Sequence, residues 1–276
     1  MVSVQNLHFA YGRNTLFAGL DLQLQPGFIY GLLGKNGTGK STLLRNIAGT
    51  LFPDKGSITV GNEIPGKRKP SFLQDVFMVA EEFFLPDITP ERLAYSNAPF
   101  YHKFNNEQFN RYLSEFEIPV KHTIQRMSYG QKKKTLISFA LACNTALLLM
   151  DEPTNGLDII SKSQFRKVIA GALGENKCFI IATHQVKDLE NLIDRITVID
   201  EGKILFDQTI EQITRKLTFK ISFDTAEIHQ ALYSEPSLKG DAIVTHNTTN
   251  DDSRLDLEML YKAIILNQNK VQSAFN

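Results

Sequence analysis

The residues Gly34-Lys35-Asn36-Gly37-Thr38-Gly39-Lys40-Ser41 read G-x-x-x-x-G-K-[ST]. Glycines at this spacing let a backbone wrap closely round a phosphate chain, so that successive N–H groups and a helix N-terminus aim at the anion. In such a loop Lys40 reaches the β- and γ-phosphates and the Ser41 hydroxyl ligates Mg²⁺. Thr42 adds a further hydroxyl on the phosphate side. The nucleotide-binding residues expected here are Gly34, Asn36, Gly37, Thr38, Gly39, Lys40, Ser41 and Thr42. A second reactive group lies downstream, where Leu147-Leu148-Leu149-Met150-Asp151-Glu152 is an apolar run ending in two acids. A carboxylate at such a strand end holds Mg²⁺, commonly through water, which suits Asp151. The next carboxylate can polarise an attacking water, which suits Glu152 as general base.

These groups need elements to carry them. Residues 2–9, 20–24 and 28–33 read as strands, and the last runs through the glycine loop into a helical pattern over 41–49. Strand, glycine loop and helix in that order open a nucleotide-binding α/β fold. A turn at Pro53-Asp54-Lys55-Gly56 precedes a strand-like 57–60, and 61–71 reads as loop. From Pro90 to about Ala142 helical spacing takes over (Leu93, Phe100, Phe104, Phe109, Leu113, Phe116), as in a helical insert between parts of a sheet. Residues 146–150 and 178–182 are continuous apolar runs, as expected of strands covered on both faces. Residues 195–199 and 203–206 flank a hairpin-type turn, Asp200-Glu201-Gly202. After about 213 the composition shifts. Residues 217–223 alternate like a strand, and 237–252 are polar and loop-like around a short 242–245 run. Ser253-Arg254-Leu255-Asp256 has the form of a capping box before a helix with Leu257, Leu260, Ile264 and Ile265 on one side. The expected division is a main domain over 1–213 and a small α+β unit over 214–276.

The bulk composition narrows the classes. The chain has 276 residues, 42% hydrophobic and 22% charged, which suits a globular protein with a real core. Thirty Lys plus Arg balance 30 Asp plus Glu, so there is no global attraction to nucleic acid or anionic lipid. The longest apolar stretch, 137–150, is interrupted by Cys143-Asn144-Thr145 and is too short to span a bilayer. The start, MVSVQNLHFAYG, lacks the pattern of a secretion signal. Cys143 and Cys178 each sit in an apolar run and read as buried thiols of a reducing compartment.

Further residues carry a family resemblance. Pro153-Thr154-Asn155-Gly156-Leu157-Asp158 follows the acidic pair, Met127-Ser128-Tyr129-Gly130-Gln131 precedes a helix, and His184 ends a strand. In this order, over about residues 2–212, the chain resembles the ATP-binding cassette (ABC) ATPases. The resemblance implies an α/β P-loop NTPase of the ABC ATPase type. Its parts are a mixed sheet around the P-loop helix, an antiparallel N-terminal β portion, a helical subdomain at about 86–142 and a small C-terminal α+β extension. Met127 to Gln131 is similar to the family signature Leu-Ser-Gly-Gly-Gln, Asn155 to Asp158 to its D-loop, His184 to its switch histidine, and Tyr11 to the aromatic that stacks on adenine. Two such cassettes close head to tail around two ATPs, so Ser128, Gly130, Gln131 and Asp158 would serve the site of a facing subunit. His184 would join Glu152 and Lys40 as the catalytic set.

Two departures stand out. Glu81 occupies the place of the family's Gln, which would make the metal set Ser41, Asp151 and Glu81. Tyr129 replaces a signature glycine, so its ring must point away from the phosphate. Lys132-Lys133-Lys134 reads as a solvated helix face. The resemblance implies an ATPase subunit on the cytoplasmic face of the cell membrane, using ATP and Mg²⁺. It would power transport, read as export, through a separate transmembrane permease docked near Phe83 and Phe84, with a second cassette as partner and no nucleic acid. A soluble assembly ATPase of the iron–sulfur scaffold kind is the alternative.

Overall fold

The computed structural model describes residues 1–248 and 254–275. In chain order the elements begin β1 (Val2–Tyr11), β2 (Asn14–Leu24), β3 (Phe28–Leu33), α1 (Lys40–Ile47), β4 (Lys55–Val60), α2 (Pro70–Leu73) and β5 (Val76–Val79). The helical insert follows as α3 (Pro90–Asn97), α4 (Asn106–Glu115) and α5 (Tyr129–Ala142). Next come β6 (Leu147–Asp151), α6 (Ile159–Ala172), β7 (Cys178–Thr183), β8 (Arg195–Asp200) and β9 (Lys203–Thr209). The last stretch is α7 (Ile210–Lys216), β10 (Leu217–Ser222), α8 (Thr225–Gln230), β11 (Tyr233–Ser237), β12 (Gly240–His246), α9 (Leu257–Leu266) and α10 (Gln268–Ser273).

The central sheet has the order β5-β6-β7-β3-β8-β9, parallel except for the β8–β9 hairpin. Its strands carry apolar residues at successive positions, and the two-residue period of a strand sorts them to opposite faces. Tyr30, Leu32, Leu147, Leu149, Cys178, Ile180 and Ala182 enter one core with α1 and the antiparallel sheet β2-β1-β4. Ile29, Leu33, Leu148, Met150, Phe179 and Ile181 enter the other, with α4, α5 and α6. A one-residue slip of any inner strand would exchange these sets, so the register is strongly specified. The fold is therefore the mixed-sheet α/β architecture expected of a P-loop ABC ATPase.

Several local expectations are corrected. Residues 61–71 contain a 3₁₀ turn, Pro65–Lys67, and the start of α2, each with a proline that presets a helical φ. Strand β5, with only four residues, carries too short a pattern to stand out alone. The polar 237–252 region holds strand β12, which pairs with β10 on one side and with β11 on the other rather than standing out by its own apolarity. Asp256 caps α9, its carboxylate accepting from the Met259 N–H at 2.9 Å, while Ser253 lies outside the described residues. The elements after β9 pack on the main domain. Leu217, Val244, Leu257, Leu260, Ala263 and Ile264 share one core with Leu189, Ile193, Ile196 and Val198. Cys143 and Cys178 are both fully buried free thiols, and burial pushes the Cys178 thiol up to about 12.

Candidate nucleotide site

The phosphate loop runs from the end of β3 to α1. Gly39 is the N-cap of α1 at φ 105°, with no side chain to cap the helix and no acid in its first turn. A Cβ at that position would stand 2.6 Å from the Phe17 ring, so glycine is required sterically as well as conformationally. The first N–H groups of α1 are thereby left open to an anion. Lys40 is buried, and its ammonium donates to the carbonyls of Gly34 at 2.7 Å and Lys35 at 3.0 Å. Burial pulls its pKa down, while Glu152, Asp151 and Glu81 oppose that shift. The Thr38 hydroxyl also donates to the Lys35 carbonyl, at 2.9 Å. A cleft of about 380 Å³ opens here, lined by Tyr11, Asn36, Gly37, Gly39, Lys40, Ser41, Thr42, Glu81 and Glu152 among others. Tyr11 stands half-exposed at its edge, edge-on to Phe9, with its hydroxyl 3.2 Å from that of Thr42.

Asp151 ends β6, buried beside Ser41. Its Oδ1 is shielded from solvent and lacks a hydrogen-bond partner. Burial raises its pKa, while the Ser41 hydroxyl lowers it. A buried carboxylate oxygen with free lone pairs, next to a hydroxyl in a phosphate-binding cleft, fits a hard divalent cation such as Mg²⁺. No cluster of three or more His, Cys, Asp or Glu suited to a metal exists among the described residues. Glu152 follows in the left-handed region at φ 45°. Its Oε1 accepts from the His184 backbone N–H at 3.0 Å and stands 2.7 Å from His184 Nδ1. Its Oε2 accepts from the Thr183 hydroxyl at 2.7 Å, and Lys40 Nζ lies 4.0 Å from Oε1. The carboxylate is thus buried, oriented and hydrogen-bonded, as a proton acceptor facing a phosphate must be.

A family model described as ABC transporter matches residues 17–155. The chain belongs to the ABC transporter family. Its relatives include the linearmycin resistance ATP-binding protein LnrL of Bacillus subtilis (strain 168), 32% identical over 214 residues, 74% of this chain and 68% of that protein. The bacitracin transport ATP-binding protein BcrA of Bacillus licheniformis is 30% identical over 80% of this chain and 75% of its own length. Among solved structures, an ATP-binding subunit of an ABC transporter superposes with a TM-score of 0.70 at 22% identity, over 78% of this chain and 92% of that one. This chain is accordingly an ABC ATPase subunit that binds and hydrolyses ATP.

In this ABC ATPase the expected site residues fall into two groups. Asn36, Gly37, Gly39, Lys40, Ser41 and Thr42 meet Tyr11, Glu81 and Glu152 at one cleft, His184 joins through Glu152 and Asp151 sits beside Ser41, whereas Gly34 and Thr38 do not line the cleft. Ser128, Gly130, Gln131 and Asp158 do not line it. Ser128 caps α5, accepting from the Gln131 N–H at 3.3 Å while Gln131 Oε1 accepts from the Ser128 N–H at 3.0 Å. Asp158 caps α6, accepting from the Ser161 N–H at 2.7 Å, a bond that holds its carboxyl below the usual range. The Tyr129 ring turns onto its own subunit's loop. It stacks on Phe83 at 5.6 Å, donates through its hydroxyl to the Glu81 carbonyl at 3.0 Å, and lies against Gly156.

The lysine run is a correction. Lys133 and Lys134 are buried, not solvated. Lys133 Nζ donates to the carbonyls of Glu152 at 2.8 Å and Asn155 at 3.2 Å, and sits 5.3 Å from the Tyr129 ring centre. Burial lowers its pKa, against the pull of Glu81, Glu152 and Asp151. Lys134 Nζ meets Ser161 Oγ at 3.2 Å. Sequence reading also passed over Thr183, and over Asp188, which accepts from Thr154 at 2.7 Å and Lys162 at 2.8 Å. No motif marks these residues. The only available signal was position: Thr183 ends an inner strand beside His184.

Proposed function

We propose that this chain is the ATP-hydrolysing motor of a membrane exporter whose permease is a separate chain, and that it works as a head-to-tail dimer. The observation that carries the dimer is the split of the site. One cleft holds Asn36, Gly37, Gly39 to Thr42 and Glu152, with Asp151 behind it beside Ser41, while Ser128, Gly130 and Asp158 do not line it. Beside Asp158, Ile159 and Ile160 are 86% and 72% exposed, an apolar pair that a second copy would cover. A dimeric cassette holding ADP and Pi shares this fold, with a TM-score of 0.67 at 20% identity over 76% of this chain.

In the proposed mechanism the triphosphate lies along residues 34–42 with adenine on Tyr11. Lys40 turns its ammonium from the loop carbonyls to the β- and γ-phosphates. Glu152, oriented by Thr183 and the His184 N–H, takes the proton of the attacking water, and His184 holds water and γ-phosphate in line. Ser41 and Asp151, with Glu81 in the same cleft, would hold Mg²⁺. That ion neutralises charge developing on the phosphate oxygens. The signature residues of the facing subunit complete the site at a helix N-terminus. Closure on ATP and reopening after hydrolysis drive the permease.

For the permease, a cavity of about 480 Å³ lies where the end of α1, α2 and β5 meet the turn after α3. Ala48, Leu73, Val76, Met78, Phe100 and Tyr101 line it, an apolar surface suited to a short amphipathic segment. Phe84 is 83% exposed and available to a partner, whereas Phe83 is committed to Tyr129. No described helix is long and apolar enough to cross a membrane, and in this reading the chain sits peripherally on the cytoplasmic face, held there by the permease. A relative named for Nod factor export, 32% identical over 70% of this chain, supports export as the direction, and relatives named for linearmycin resistance and bacitracin transport stand with it, although others are named for ribose import. The test is co-purification of tagged chain from gently solubilised membranes. A stoichiometric multi-span protein is expected, lost in Phe100→Asp with ATP binding intact. Recovery with soluble cytosolic proteins alone would replace the exporter by an assembly ATPase.

A further inference from the structure

Two carboxylates, Glu81 and Glu152, share the nucleotide cleft, and each is held at the end of a chain of donors. Both chains pass through one residue, Gln185, which follows His184. The shorter chain starts at the backbone. The Gln185 N–H donates to Thr183 Oγ1 at 3.0 Å, and that hydroxyl donates to Glu152 Oε2 at 2.7 Å. The longer chain runs through side chains. Gln185 Nε2 donates to Asn155 Oδ1 at 2.8 Å, and Asn155 Nδ2 donates to Glu81 Oε1 at 2.9 Å. Behind them, Gln185 Oε1 accepts at 3.3 Å from Lys162 Nζ, near the start of α6. Glu81, Asn155, Gln185 and Lys162 are all partly buried.

Chemistry fixes the direction of the longer chain. An ammonium only donates and a carboxylate only accepts. With Lys162 at one end and Glu81 at the other, each amide between them must turn its oxygen toward the lysine and its nitrogen toward the acid. Donors aligned head to tail polarise one another, so the chain is stronger than its separate pairs. Lys162 is itself bound to Asp188 at 2.8 Å, and Asp188 accepts from Thr154 at 2.7 Å. Thr154 adjoins Asn155, so the chain closes into a ring. The ring joins the turn after Glu152, the 3₁₀ turn Val186–Leu189 and α6. Asn155 Nδ2 is the group that ties the Glu81 carboxylate to it. A carboxylate released from the ring would be drawn toward the Lys40 ammonium in the same cleft, where the triphosphate must bind.

We propose that Gln185 and Asn155 are positioning residues for hydrolysis. Together they hold the Glu81 carboxylate off Lys40 and in fixed relation to Glu152, so that the residue after His184 sets both acids of the cleft. The inference rests on the reading of this cleft as the ATP site with Glu152 as general base.

The experiment reverses the direction of the longer chain in the full-length protein, with steady-state kcat and melting of the nucleotide-free chain measured in parallel. Gln185→Glu keeps the shape and an acceptor for Lys162, but it has no donor for Asn155. The Asn155 amide must then turn its nitrogen toward the new carboxylate, which leaves its oxygen against Glu81, acceptor facing acceptor. At saturating ATP, kcat should fall on the order of tenfold, as for one part-buried polar group left opposed. Adding Glu81→Gln supplies an amide that can donate to the turned Asn155, so the double variant has a complete chain running the other way. Its kcat should return to that of Glu81→Gln alone, and its melting temperature should recover too. Parental kcat in Gln185→Glu, or a loss that persists undiminished in the double variant, would overturn the proposal. A lower melting temperature with unchanged kcat below it would also overturn it, by reducing the chain to a structural tie. Glu152→Gln tells the two levels apart. Full turnover there would sink the reading of the cleft itself; loss there with parental turnover in Gln185→Glu would remove only the role of Gln185 and Asn155.

Discussion

Lys40 and Lys133 are both buried ammonium groups, each bonded to two backbone carbonyls, yet they belong to regions of different kinds. Lys40 lines an open cleft at a helix N-terminus that nothing caps. Lys133 is sealed under Tyr129 and pins the Glu152–Asn155 turn to α5. Both pKa values are lowered by burial and held up by the same three acids, Glu81, Asp151 and Glu152. The difference lies in what each lysine can leave. The first can trade loop carbonyls for a phosphate; the second has no solvent or ligand to turn to. Removal of groups in the first region should therefore cost chemistry, and in the second it should cost structure.

The largest expected effect is in the cleft. Glu152→Gln keeps the shape and the hydrogen bond from Thr183 but removes the proton acceptor. Hydrolysis should fall by about 10²-fold or more, while ATP stays bound and a dimer accumulates on gel filtration. A monomeric variant with full turnover would overturn both the base assignment and the shared site. The melting temperature should hardly move.

Lys133→Met should behave in the opposite way. It strips the donor from two buried carbonyls while filling the space, at a cost of about 2–3 kcal/mol. For a chain of this size that is a fall in melting temperature of about 5–10 °C. Lys132→Met, which loses only an exposed bond to Gln125 at 3.1 Å, should be near neutral. If the two variants melt alike, Lys133 is not the pin described. Gly156→Ala should fall between them. Gly156 has φ 77°, and a Cβ there would stand 2.8 Å from Tyr129 Cδ1. A loss of about 1–2 kcal/mol by chemical denaturation is expected.

The contrast also explains what could be read in advance. The phosphate loop is a local motif: glycine spacing dictates backbone shape, and the shape dictates where Lys40 and Ser41 point. The inner strands were equally open to reading, because unbroken apolar runs such as Leu147 to Met150 have only one kind of environment. Lys133 was not, because its burial depends on Tyr129, Asn155 and Glu152 arriving from elsewhere, and three lysines in a row resemble a solvated face. Strands β5, β11 and β12 escaped full notice for a related reason. They are short or polar, and long-range pairing rather than pattern makes them strands.

The smallest expected effect joins the two regions. Glu81 lines the cleft with Lys40, and its Oε1 accepts from Asn155 Nδ2 at 2.9 Å, next to the carbonyl that Lys133 holds. Its charge supports the protonated forms of both lysines. Glu81→Gln offers a carbonyl oxygen to Asn155 in the same place, so the loop should keep its geometry. It also removes one negative charge from beside the triphosphate, which favours ATP binding. Against that, both lysines lose a supporting charge, and their protons leave at lower pH than in the parent. ATPase activity should therefore stay within about threefold of the parent at neutral pH, since the lost charge pair is partly solvated. The alkaline limb of the pH–rate profile should move toward neutrality, because a lysine already lowered by burial is lowered further. An unchanged alkaline limb would separate Glu81 from both lysines, and complete loss of activity would mean that the carboxylate, not merely its position, is required at the site.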